Sequence, residues 1–265
     1  MTALLSIWAW VEIALVVLLG FLVQTVLWAV CLPFDRRRLV AGRTFRLIGV
    51  TAARLNPFWR FGVWGPPAVK PRRKTVVVSN HESNADPFLV SFLPWEMKWL
   101  GKAVLFRIPV VGWMMRMAGD IPVERGDSDS AKEAMETCAR WLERGVPVMF
   151  FPEGTRSRDG QLLPFKDGAF RLAIETGADL LPLAISGTRT ALPKSSWLFG
   201  RAKGRVTVGA PISTAGMTLA ELEPLKARVR SEIESLRARL AAADGLTPAA
   251  AAAGGADGGG RSTRA

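Results

Sequence analysis

Between Ile13 and Leu32 the chain runs for twenty residues without a charged side chain, interrupted only by Gln24 and Thr25 and bounded by Glu12 and Pro33. As a helix this run is about 30 Å long, the thickness of the hydrocarbon layer of a bilayer. Trp8, Trp10 and Trp28 fall near its ends, where amphipathic rings favour the membrane interface. No Lys or Arg precedes the run, and it is too long for the apolar segment of a cleaved signal peptide. Two readings stand: a single spanning helix and a re-entrant helix pair. Glu12 and Gln24, both awkward in lipid, keep the second open.

The net charge of +12 is concentrated directly after this run, with eleven basic residues and no Asp or Glu between Arg36 and Lys74. A block placed there suits anionic lipid headgroups, at roughly 1 kcal/mol per cation near the surface. Nucleic acid is not expected as a partner, because no zinc-finger or RNA-recognition signature accompanies the cations. If the apolar run spans, Arg36, Arg37 and Arg38 hold the downstream chain on the cytoplasmic side of the inner membrane. Residues 39–65 mix apolar and aromatic side chains with arginines. Arg43 and Arg54 fall on the same side as Leu47 and Val50 at 100° per residue, so the segment is expected at the interface without forming a tidy amphipathic helix. Cys31 and Cys138 imply no disulfide framework. With a single histidine the chain lacks the usual zinc ligand set, and no metal is expected.

From Thr75 onward short β-rich runs alternate with helical stretches, the pattern of an α/β domain. Strands are predicted over 75–79, 97–100, 120–124, 147–151, 180–186 and 205–209. Helices are predicted over 130–144 and 168–176, each stopped by a glycine, and over 219–242. The organisation expected is an anchor over 1–35, a basic interfacial segment over 36–74, a catalytic domain over 75–243 and a disordered Ala/Gly tail over 244–265.

The sole histidine, His81, closes an apolar strand and is followed five residues later by Asp86. A neutral imidazole can take a proton from an alcohol, and a carboxylate on its other nitrogen fixes the tautomer and balances the imidazolium. Asp86-Pro87 also reads as a helix cap followed by a first-turn proline. A second cluster, Phe151-Pro152-Glu153-Gly154-Thr155-Arg156-Ser157, runs from a buried strand into a polar turn, where Arg156 offers a fork for phosphate and Gly154 a close backbone approach. A third, Gly119 to Arg125, also ends a strand on an arginine. Lys102 comes just after another short strand and reads as a phosphate or oxyanion contact or as surface. Arg158-Asp159-Gly160 reads as a tight turn. Trp95, Trp99, Phe106 and Trp113, with Met114, Met115 and Met117, read as core, with an acyl groove as the alternative.

Taken in order, these strings resemble the 1-acyl-sn-glycerol-3-phosphate acyltransferase family of the glycerolipid acyltransferases. His81 with Asp86 matches its His-x4-Asp block, Gly119 to Arg125 its second block, Phe151 to Ser157 its third, and Leu181-Pro182-Leu183-Ala184-Ile185 its proline-containing strand. Pro122 departs from the pattern, standing where the family more often has an aromatic or aliphatic residue. The resemblance implies a mixed central sheet flanked by helices behind the N-terminal membrane-anchoring helix. It also implies transfer of a fatty acyl group from a thioester to the sn-2 hydroxyl of 1-acyl-sn-glycerol 3-phosphate, giving phosphatidic acid. His81 and Asp86 would be catalytic, and Lys102, Arg125, Glu153, Gly154, Thr155 and Arg156 would bind substrate. Acyl-CoA or acyl carrier protein would be the donor, with no cofactor. Another lysophospholipid, a lyso-ornithine-type lipid or glycerol 3-phosphate is the alternative acceptor. A serine hydrolase would want a Gly-x-Ser-x-Gly elbow, which the chain lacks. A membrane-bound lipid-binding protein would share the anchor and cations but has no need of the His/Asp pair.

Overall fold

The computed structural model describes residues 2–66, 71, 74–157, 159–193 and 196–243. The tail expected to be disordered, Lys70, Arg72 and Arg73 of the basic block, and Arg158 lie outside the described residues.

The apolar run forms one helix, α1 (Thr2–Cys31), long and apolar enough to cross a membrane. A turn leads into α2 (Leu39–Leu55), whose first amides are capped by Asp35: its two carboxylate oxygens accept from Leu39 and Val40 at 2.7 and 2.8 Å. The helices pack closely because position 20 is glycine, where a Cβ would lie 2.6 Å from the Ile48 side chain. Ser6, Ala9, Glu12, Gly20 and Gln24 form the buried stripe of α1, so the two polar residues that were awkward for lipid face protein. The Gln24 amide donates to the carbonyls of Ala41 and Met114.

The continuous helix α2 corrects the expectation for residues 39–65, and its own arginines give the reason. Arg43 turns inward to the Leu93 carbonyl at 2.7 Å, and buried Arg46 pairs with Asp120 and lies over the Trp99 ring. Arg43 and Arg46 are therefore part of the packed face, while Arg54 stays exposed over the Phe92 ring, and the basic block is only partly a surface belt. The same segment then supplies a strand that the sequence reading did not place, β1 (Trp59–Val63).

After β1 come β2 (Thr75–Ser79), α3 (Asp86–Val90), β3 (Lys98–Lys102), a 3₁₀ turn (Ala103–Arg107), α4 (Val111–Ala118), β4 (Ile121–Val123) and α5 (Ser128–Glu143). The chain continues through β5 (Val148–Phe150), α6 (Gly168–Thr176), β6 (Asp179–Ser186), β7 (Ala202–Val208), the 3₁₀ turn Leu219–Glu221 and α7 (Leu222–Ala243). The strands form one seven-stranded sheet in the order β1-β7-β6-β2-β5-β3-β4. Five neighbours, β6 to β4, run parallel, while β7 is antiparallel to β6 and parallel to β1. The mixed α/β sheet flanked by helices is as expected. Pro122 sits in β4 at the sheet border, where a missing ladder donor is tolerated.

Alternation along β2 serves both faces of the sheet. Val76 and Val78 pack with α5, α6 and α7, and Val77 packs with the α3 segment, Trp95, Met97 and Trp99. Of the aromatic and methionine group, Trp95, Trp99, Phe106, Met114 and Met115 are buried, whereas Trp113 is on the surface.

Candidate active site

Parallel running brings the carboxyl ends of β2 to β6 to one edge of the sheet, where ligands of open α/β sheets sit. His81 follows β2, Lys102 ends β3, Arg125 follows β4, the Glu153–Arg156 turn follows β5, and Thr188 follows β6. Lys102 is in register with Val123, so Lys102 and Arg125 belong to neighbouring strand ends. Thr155, Arg125 and Lys102 are exposed and Arg156 is half-buried.

At the centre of this edge, Nδ1 of His81 lies 2.7 Å from Oδ2 of Asp86, with Asp86 fully buried and the imidazole partly open. The same Oδ2 accepts the amides of Glu82 and Ser83 at 2.7 and 2.9 Å. The other oxygen, Oδ1, accepts the hydroxyl of Thr188. Asp86 thus accepts on both oxygens, the bonding pattern of a carboxylate, so Nδ1 carries the proton and Nε2 presents a lone pair toward the edge. It stands in the first turn of α3 with Pro87 behind it, but its oxygens turn back to residues 81–83. The helix-cap alternative gives way to this arrangement.

The strand end is clamped from both sides. The Asn80 side chain pairs with the backbone of Ile185 on β6, donating at 2.9 Å and accepting at 2.8 Å. The Ser157 amide donates to the His81 carbonyl at 2.9 Å, and the Phe151 ring stacks on the imidazole at 4.1 Å. Buried Glu153 accepts the His81 amide at 2.8 Å and the Leu163 amide at 3.0 Å. Burial pushes its carboxyl up, against the pull of those two amides. Both of its oxygens are engaged behind the histidine, which makes it a brace for His81 rather than an outward-facing substrate contact. Gly154 has φ +68°, which favours glycine in this turn, and the end of the Lys166 side chain packs over it.

Beside the pair, Glu82 is buried and its carboxyl is pushed up to about 7, first by burial and then by the Asp86 charge, with Arg237 and Arg189 opposing. Arg237, from α7, pairs with Glu82 at 3.4 Å and also donates to the Gly160 carbonyl. Thr188, Arg189 and Arg237 stand outside the motifs that mark the site in the sequence. Each comes from far along the chain, and the one usable signal was that Thr188 and Arg189 come just after an apolar strand on the ligand edge. Asp159 accepts from the Gln161 amide at 2.9 Å and from the Ser157 hydroxyl at 3.1 Å, as a tight turn requires. Among the described residues no group of three His, Cys, Asp or Glu side chains could hold a metal ion.

The Acyltransferase family profile matches residues 60–186, the stretch that carries these strand ends. A chloroplastic 1-acyl-sn-glycerol-3-phosphate acyltransferase of Brassica napus, BAT2, is 40% identical over 138 residues, 52% of this chain and 40% of its own length. The human 1-acyl-sn-glycerol-3-phosphate acyltransferase beta is 31% identical over 218 residues, 81% of this chain and 78% of its own. The chain belongs to the 1-acyl-sn-glycerol-3-phosphate acyltransferase family. Its fold agrees with the crystal structure of the 1-acyl-sn-glycerophosphate (LPA) acyltransferase PlsC from Thermotoga maritima. The two share 28% identity with a TM-score of 0.70, over 88% of this chain and 92% of that one. The chain spans about half the length of the plant and algal relatives it matches, from 40% of BAT2 to 52% of the Chlamydomonas reinhardtii protein.

Proposed function

We propose that this family member transfers a fatty acyl group from an acyl thioester to the sn-2 hydroxyl of 1-acyl-sn-glycerol 3-phosphate, giving phosphatidic acid. The observation that carries the reading is the 2.7 Å His81–Asp86 contact, with a buried acceptor behind and an accessible ring in front, at an edge supplied with cations. Nε2 of His81 takes the proton of the acceptor hydroxyl as that oxygen attacks the thioester carbonyl. The tetrahedral intermediate collapses with cleavage of the C–S bond, and the thiolate leaves with the proton from the imidazolium. The acyl group passes directly to the acceptor, with acyl-CoA or acyl carrier protein as co-substrate and no further cofactor. Lys102, Arg125 and Arg156 serve the glycerol phosphate, with the Gly154–Thr155 backbone beside it, and Glu153 holds the histidine. Fixing the hydroxyl against the thioester supplies much of the acceleration.

The membrane role rests on how α1 is seated. Its contacts with the domain run from Ser6, which accepts the Phe199 amide, and Trp10, which donates to the Trp197 carbonyl, to Gln24 and Thr25 beside α4. That seat extends over about 29 Å at 1.5 Å per residue. A helix docked over such a length favours an interfacial position along the membrane surface over a crossing one.

The test is an assay of purified protein against a panel of lyso-acceptors with both thioester donors. His81→Ala is expected to lose at least a hundredfold in kcat while keeping fold and vesicle binding, the range of general-base catalysis. Near-normal turnover would remove the base assignment. Arg125→Ala and Arg156→Ala are expected to raise KM for the phosphate acceptor and leave that for the thioester unchanged; equal effects on both would sink the phosphate assignment.

A further inference from the structure

One surface feature has no part in the chemistry. Between β3 and α4 the chain exposes Val104, Leu105, Ile108 and Trp113, with 55%, 39%, 43% and 52% of their area open. They stand on a bend made around Val110, whose φ of +65° and ψ of −66° close a tight turn from the Pro109 carbonyl to the Val111 amide at 2.8 Å. For a β-branched residue that conformation is costly, and it persists only where the surroundings impose it. Gly112 locks the bend, since a Cβ there would meet the Phe106 carbonyl oxygen at 2.3 Å. Phe106 points inward and is buried, so the turn has its own root while its apolar tip faces out.

The tip adjoins the apolar helix. The Trp113 and Phe21 rings are 5.8 Å apart, Gln24 bonds the Met114 carbonyl, and Leu18 and Leu22, on either side of Phe21, are exposed. Cations rim it: Arg107 is exposed beside Glu124, Lys102 is on the surface at one end, and at the other Arg116 is exposed with its guanidinium donating to the Phe106 carbonyl. An apolar tip continuous with an apolar helix face and ringed by positive charge matches the boundary between acyl chains and anionic headgroups.

We propose that the 104–113 bend is a second membrane-inserted element, a wedge that seats the catalytic edge on the bilayer. It begins two residues after Lys102, so a lysolipid can lift its phosphate to the strand ends while its acyl chain stays in the leaflet. The wedge rests on the reading of α1 as a membrane-seated helix, and the test separates the two.

Full-length protein with Cys31→Ser and Ile108→Cys is labelled with an environment-sensitive fluorophore, Cys138 being fully buried. A parallel sample carries the label at Leu18→Cys. On vesicles of equal parts phosphatidylcholine and phosphatidylglycerol, both labels are expected to shift to the blue and to be quenched by lipids with nitroxides on their acyl chains. Quenching at position 18 with a water-like signal at 108 overturns the wedge and leaves the membrane reading standing; water-like signals at both overturn that reading. Shielding at 108 that grows with protein concentration in lipid-free buffer assigns the tip to a second copy instead. In the Val104→Ser, Leu105→Ser, Ile108→Ser variant, KM for a vesicle-borne lysolipid is expected to rise about tenfold, as partial loss of three apolar insertions implies, with turnover of a soluble short-chain acceptor unchanged. An unchanged vesicle KM also overturns the wedge.

Discussion

Asp86 accepts four hydrogen bonds, from His81, Glu82, Ser83 and Thr188, and the last of these is the most informative to remove. In Thr188→Val the carboxylate loses the partner of Oδ1 and holds the imidazole less firmly, so kcat is expected to fall about tenfold with KM unchanged, the scale of one buried hydrogen bond, and Thr188→Ser should restore it. A fall in melting temperature with kcat unmoved would leave Thr188 a purely structural role. Glu82 gives a second prediction, in stability. Its carboxyl is raised from 4.5 to about 7 in the folded chain, so between those values the folded state binds more protons than the unfolded one. Stability from this group is therefore fullest below about pH 4.5 and is lost as pH climbs through 7. Glu82→Gln is expected to melt with the parent at pH 4 and several degrees above it at pH 8; equal melting at both would show that Arg237 already offsets the buried charge.

At the scale of elements, the joint between α2 and the sheet is ionic and buried. Arg46 of α2 pairs with Asp120, which also accepts the Trp99 amide at 3.0 Å, while fully buried Lys98 reaches Glu96 at 3.3 Å and the Arg38 carbonyl at 2.8 Å. Burial pulls the Lys98 ammonium down and pushes the Glu96 carboxyl up. Asp120→Ala strands a buried guanidinium and is expected to cost about 3–5 kcal/mol in denaturant unfolding, whereas Arg46→Met with Asp120→Asn should recover most of that. Failure of the double variant to recover would place the cost in Glu96, which Arg46 also faces at 3.8 Å. This joint also explains what was hidden in the sequence. The edges of β2 and α6 were legible because apolar runs and glycine stops mark them: Gly177 takes φ +61° at the end of α6. The boundaries of α2 were not, because Arg43 and Arg46 are spent on buried carbonyls and acids that lie some fifty or more residues away. The His81–Asp86 pair was legible because five residues suffice to close it. Thr188 was not, for its bond to Asp86 spans 102 residues and depends on β6 lying next to β2.

For the molecule as a whole, apolar and electrostatic attachment are separable. Arg36 and Arg37 are exposed in the turn between α1 and α2, beside Phe34, which is 88% open. Replacing both arginines with alanine is expected to weaken binding to anionic vesicles by roughly thirtyfold at low salt, about 1 kcal/mol per cation, and far less at high salt or on neutral vesicles. Salt-independent weakening would point instead to a disturbed turn. The double clasp on α1, with Ser6 and Trp10 at one end and Gln24 and Thr25 at the other, has a kinetic consequence. An enzyme hung from a flexible tether would tumble above its substrate and sample it from many directions. One clasped along its anchor meets the film at a single tilt and moves only within it. Its encounters are then counted per unit area, so diluting the acceptor with inert lipid slows turnover even when the bulk amount of acceptor is unchanged.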